Sequence, residues 1–179
     1  MLWYRQAERL ITQGAIDEAE PILRCAETPF RTLKDERHIA VTMGKIADIY
    51  QSRGDLDEAL RIHEQECRPI AEKLKDVDGV IHALVMASRI RRAKGIEDQA
   101  EFERVLNDLV EAHKLASQYG RLAFICATAM DLGMHILWAG GKEQAKPLLI
   151  QARDGFVKLE QARMAAHIDG LLQPIDSAA

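Results

Sequence analysis

A glycine followed five residues later by an alanine recurs along this chain as Gly14 with Ala19, Gly54 with Ala59, Gly95 with Ala100 and Gly140 with Ala145. The glycines lie 40, 41 and 45 positions apart, the length of two helices with their turns. Such a period constrains the fold more tightly than local propensity, because a unit of this size cannot bury its apolar face alone and must stack on its neighbours. Four units nearly fill the 179 residues, and no second domain is expected.

The best preserved unit, residues 46–60, reads IADIYQSRGDLDEAL. Met43, Ile46, Ala47, Ile49 and Tyr50 recur at helical spacing until Gly54 breaks the helix with a residue that adopts left-handed angles cheaply. Asp55 or Asp57 can cap the next helix, and the carboxylates of Asp57 and Glu58 suit its positive end. The small Ala59 lets the paired helices approach closely.

These positions resemble the tetratricopeptide repeat, whose signature runs Trp-x2-Leu-Gly-x2-Tyr, then Ala-x3-Phe, then Pro. Four residues before each glycine, at the Tyr position, stand Leu10, Tyr50, Arg91 and Ile136; seven before, where a small residue belongs, stand Ala7, Ala47, Ser88 and Gly133. The Trp position holds Trp3, Met43, Leu84 and Ala129, and the Phe position Leu23, His63, Arg104 and Leu149. Arg91 and Arg104 therefore make the third unit degenerate, although Phe102, Val105, Leu106, Leu109, Val110 and Leu115 keep its second helix amphipathic and leave only its register open. Pro69, inside the second unit's long helix, should bend it.

The resemblance implies an all-α, right-handed helical-hairpin solenoid of about four two-helix repeats, over 1–27, 34–75, 78–118 and 121–160, closed by a capping helix over 162–172. In that helix Met164, Ile168, Leu171 and Leu172 form the last interface and Pro174 ends it. Residues 27–37, with a proline, read as the one substantial loop. Units longer than the family's 34 residues make this a long variant. It is similar to the repeat cassettes of large bacterial signalling and sensor proteins.

A chain that is 47% hydrophobic and 29% charged suits a soluble helical array. Its net charge of −4 lacks the basic footprint of a nucleic-acid binder. The N-terminus carries Arg5, Glu8 and Arg9 within its apolar pattern, unlike an export signal. The odd set Cys25, Cys67 and Cys126 suggests mostly buried, reduced thiols, and hence a cytoplasmic protein. The apolar stretch 122–141 holds Asp131 and His135 near its middle, which argues against a membrane span.

No constellation supports catalysis or a cofactor. His63 and Cys67, four apart with Glu64 and Glu66 beside them, could supply two metal ligands, but no third or fourth follows at matching spacing. Gly140-Gly141-Lys142 lacks the strand and glycine spacing of a phosphate loop and reads as a turn. No histidine sits in a hydrolase, kinase or metalloprotease motif.

Family resemblance further implies that the first helix of each unit lines a concave groove, through residues two, three, six, nine, ten and thirteen before the glycine. That places Glu8, Lys45, Asp48, Gln51, His82, Arg89, Arg92 and Asp131 on the groove, with a basic centre at Arg89 and Arg92. In the fourth unit Met130, Met134, Leu137 and Trp138 turn toward the same side, Met134 and Trp138 being the anchor candidates. The expected function is a scaffold binding a protein or peptide, acidic where Arg89 and Arg92 select it. The alternatives are a sensor or oligomerisation segment of a bacterial signalling system that self-associates through its ends, and an enzyme with a cryptic site.

Overall fold

The computed structural model describes residues 2–176, with side chains for 5–175, as helices joined by short turns. In chain order these are α1 (Leu2–Thr12), α2 (Ile16–Leu33), α3 (Glu36–Ser52), α4 (Leu56–Ile62), α5 (Arg68–Lys73), α6 (Val77–Lys94), α7 (Gln99–Gln118), α8 (Leu122–Trp138), α9 (Lys142–Lys158) and α10 (Ala162–Asp176). A π-helical turn over His63–Cys67 joins α4 and α5 into one continuous rod. That turn lies just before Pro69, whose ring would press on the Gln65 carbonyl in a regular α-helix, and its wider winding relieves the clash. Trp3, at the first Trp position, lies outside the described side chains.

One left-handed residue sets each turn. Gly14, Gly54, Gly95 and Gly140 close the predicted hairpins, and Lys34, Lys75, Gly120 and Glu160 share their positive φ between them. Successive members of this series lie 20, 20, 21, 20, 25, 20 and 20 positions apart. The two-helix period of the sequence is thus a one-helix beat, lengthened once, in α7 and the turn before it.

The lengthening corrects the third glycine–alanine pair. Ala19, Ala59 and Ala145 are fully buried, whereas Ala100 is exposed. Val105, Leu109, Ala112 and Ala116 form the buried stripe of α7, with the spacing of Ala145, Leu149, Ala152 and Phe156 in α9. Leu109 therefore takes the place assigned to Arg104, which is exposed.

The expected loop over 27–37 is helix. α2 continues to Leu33; then Lys34 turns the chain at φ 54° and Asp35 caps α3, accepting from the His38 backbone N–H at 3.2 Å. Asp55, Asp76 and Asp98 cap α4, α6 and α7 in the same way. Pro174 likewise lies inside α10 and does not end it. An exposed proline removes one hydrogen bond and leaves a carbonyl that water can satisfy, so packing on the opposite face carries the helix through.

The chain divides into two compact units, Met1–Gly95 and Ile96–Ala179. In the first, α1 to α6 pack each on its predecessor around Leu23, Ile46, Ile49, Ile62 and Ile90. In the second, α7 to α10 do likewise, around Cys126, Leu149, Phe156, Ile168 and Leu172, with a smaller cluster at Val105, Leu109 and Leu132.

Within the first unit the hairpins meet through repeated pairs. Arg53, one residue before its glycine, binds Asp17, three after the preceding glycine, at 2.6 Å, and Lys94 reaches Asp57 from the equivalent positions. At a second pair of positions Arg24 donates to the Tyr50 hydroxyl at 2.8 Å, and at the corresponding positions Glu64 pairs with Arg91. The arginine in the third unit's Tyr position is 4% exposed, so its misfit to an apolar pattern is answered by a carboxylate from the previous hairpin.

Candidate partner-binding site

Four of the groove candidates line two hollows on the first helices of the first unit. One, of about 280 Å³, lies among α3, α5 and α6 and is lined by Lys45, Asp48, His82, Cys67, Arg37 and Val41, among others. The second, of about 490 Å³, lies against α1 and α3 and is lined by Arg5, Glu8, Phe30, Arg37, His38, Val41 and Thr42. Arg37 and Val41 belong to both, so the hollows adjoin across α3, with Val41 45% exposed between them. Val41 stands thirteen residues before Gly54, so the spacing rule that selected its polar neighbours also indicates this apolar one.

The first hollow is electrostatically mixed. Lys45 Nζ stands 3.7 Å from Asp48 Oδ2, and Arg37 Nε 4.0 Å from Asp76 Oδ2. Desolvation raises the Asp48 pKa against the opposing pull of Lys45 and His82, and desolvation lowers that of His82. Burial pushes the Cys67 thiol up to about 12, and its Sγ–H donates to the Ala40 carbonyl at 3.5 Å, so this cysteine is no nucleophile at neutral pH. Behind His82, at a ring separation of 6.0 Å, His63 is 1% exposed and neither ring nitrogen has a hydrogen-bond partner. Burial and the neighbouring His82 push its pKa down to about 4, so it sits in the core as neutral imidazole.

Other candidates fall elsewhere. Gln51, Arg89 and Arg92 are half-buried and line neither hollow, and Arg89 and Arg92 are engaged with other groups of the chain. Asp131 and Met130 are buried, Met134 and Leu137 are half-buried against the second unit's core, and Trp138 stands 67% exposed. Trp138 closes a stack in which Phe102 and His135 lie 4.2 Å apart, with Trp138 6.2 Å from Phe102 and 6.5 Å from His135. His135 Nε2–H donates to the Phe102 carbonyl at 3.1 Å, which fixes its tautomer and ties the end of α8 to the start of α7. Among the described residues, no group of three His, Cys, Asp or Glu could hold a metal ion, and no helix is long and apolar enough to cross a membrane.

No protein-family model matches the chain, and no curated protein matches it. Solved structures do. A kinesin light chain-type protein with nearly identical TPR-like repeats, from Podosopora anserina, superposes with a TM-score of 0.65 at 16% identity, over 98% of this chain and 94% of that one. A point variant of the same protein gives 0.66 at 16% identity, over 98% and 93%. BtubC (BKLC) from P. vanneervenii gives 0.65 at 16% identity, over 96% and 77%. With helices alone among the described residues and one left-handed residue at each turn, the chain has the fold of TPR-like helical repeat proteins.

Proposed function

We propose that this chain is a protein-binding scaffold whose first unit captures a peptide or helix of a partner on the face made by α1, α3 and α6. The adjoining hollows on either side of Arg37 and Val41 carry the reading. An apolar side chain at the centre, with Glu8, Lys45, Asp48 and His82 around it, is the arrangement of an anchor ringed by orienting charges. We assign the chain no reaction.

The finer proposal is that Arg89 and Arg92 favour an acidic partner, and that Met134, Leu137 and Trp138 offer a second contact in the other unit. Charge reversal at both arginines should weaken binding and flatten its salt dependence.

The deciding experiment is affinity capture from the source cell with three baits: the parent, Val41→Asp and Val157→Asp. Val157 is 60% exposed and lines neither hollow. Proteins held by the parent and Val157→Asp but lost from Val41→Asp support the reading. Equal capture by all three removes the α3 face from consideration.

A further inference from the structure

In the second unit the start of α7 and the end of α8 form a shallow, open hollow of about 320 Å³ lined by aromatic and acidic side chains together with Ile96, Gln99 and Ala139. Phe102 and Trp138 supply the rings, Glu97 and Asp98 the carboxylates, and among the described residues no cationic side chain lines it. We propose that this hollow receives an arginine side chain of a protein partner, its guanidinium lying on the Trp138 ring and paired with the Glu97 carboxylate.

Three features favour this occupant. Trp138 is 67% exposed on a structured helix, and an accessible indole attracts a cation through its ring quadrupole. The indole is held ready by the stack on Phe102 and His135 and by the His135 Nε2–H bond to the Phe102 carbonyl. Little side-chain freedom then remains to be lost on binding. Asp98 accepts the Glu101 backbone N–H at 2.8 Å, offsetting the positive end of α7, while α8 presents its negative end beside Trp138. The local field therefore favours a cation. A planar guanidinium stacks on indole and bonds a carboxylate at once, which an ammonium cannot do as well. This site stands whether or not the α3 face binds a partner.

The test follows the indole N–H resonances of the whole 15N-labelled protein during titration with acetyl-Gly-Arg-Gly-amide, and with the same peptide carrying citrulline, the neutral isostere. The Trp138 resonance, identified by its loss in Trp138→Ala, should shift saturably at millimolar peptide. The citrulline peptide should bind about tenfold more weakly, equivalent to ~1.4 kcal/mol. Glu97→Gln/Asp98→Asn, in which asparagine retains the helix cap, should lose a similar factor; if that pair fails to fold, Glu97→Gln alone should lose at least about threefold. The proposal is overturned if the Trp138 resonance does not move, if citrulline binds equally well, or if the charge-neutral variant binds like the parent. It is also overturned if Trp138 proves covered by a second copy, seen as a dimer by light scattering that Trp138→Ala abolishes.

Discussion

The pair Glu64 and Arg91 gives a stability prediction with a built-in asymmetry. Arg91 is 4% exposed on its side chain and Glu64 35%. Breaking a buried ion pair costs about 3–5 kcal/mol when the charge left behind cannot reach water. In Glu64→Gln that charge is the buried guanidinium; Arg91 keeps its other engagement with the chain, and this together with the partial exposure of Glu64 reduces the expected loss to about 2–3 kcal/mol. In Arg91→Met the group left behind is a carboxylate already one-third in water, and the methionine keeps most of the buried stem, so the loss should stay below about 1 kcal/mol. At this chain length each kcal/mol moves Tm by roughly 2–4 °C, so Glu64→Gln should lower it by about 4–12 °C and Arg91→Met by less than about 4 °C. The double variant should lie above Glu64→Gln, with a coupling of about 1–2 kcal/mol. Thermal unfolding at neutral pH, followed by circular dichroism, measures all three. If Arg91→Met costs as much as Glu64→Gln, or the two effects simply add, the buried guanidinium does not depend on this carboxylate and the reasoning fails.

Three further outcomes follow from the packing and the turns. Lys75 holds φ at 55°; Lys75→Gly should stabilise by about 0.5–1 kcal/mol, because removing left-handed strain outweighs the added freedom of the unfolded chain, and an unchanged or lower Tm would contradict this. A Cβ on Gly155 would run into Cys126 Sγ while lying 3.6 Å from its Cβ, so Gly155→Ala should cost about 1–3 kcal/mol and Cys126→Ala in the same chain should restore most of it. His63 is neutral in the folded core, with its pKa pushed down to about 4, and regains an ordinary value near ~6.5 on unfolding. The unfolded chain then binds the extra proton between those values, so stability is full above about pH 6.5 and falls by roughly 3 kcal/mol as pH drops toward 4. His63→Leu should flatten that part of the pH–Tm curve, and an unchanged slope would mean another group titrates.

The hairpin count, the helical class and a cap at Asp55 or Asp57 were legible because each leaves a chemical mark, a glycine where φ must be positive or a carboxylate before a helix, and the structure assigns the cap to Asp55. The turns between hairpins are marked less fully: Gly120 apart, their left-handed residues are not glycines. Lys34, Lys75 and Glu160 adopt the same conformation at a cost that packing absorbs, so the region around Lys34 reads as loop although both flanking helices are continuous. Ala100 misled for a related reason: five added residues carry the glycine forward and leave the buried stripe tied to the following turn at Gly120. On the candidate surface, family spacing located Lys45, Asp48 and His82, which converge on one hollow. Val41 lines both hollows at a position of the same spacing, but an apolar residue on a first helix reads as core. The carboxylate beside Arg91 was invisible because it comes from 27 residues earlier in the chain.

The two kinds of pair that join the first unit's hairpins differ in what they can tell apart. Those of the first kind, Arg53 with Asp17 and Lys94 with Asp57, place a cation against a carboxylate in the same sense both times, so either would accept the other's neighbour. Those of the second kind do not: excising the second hairpin would bring Arg91 against Arg24, two like charges in the place where Glu64 now stands. The second kind of contact therefore works as a lock and key between consecutive modules. Shuffling, deleting or exchanging hairpins in this unit should fail at that position even where the helices and turns are otherwise compatible.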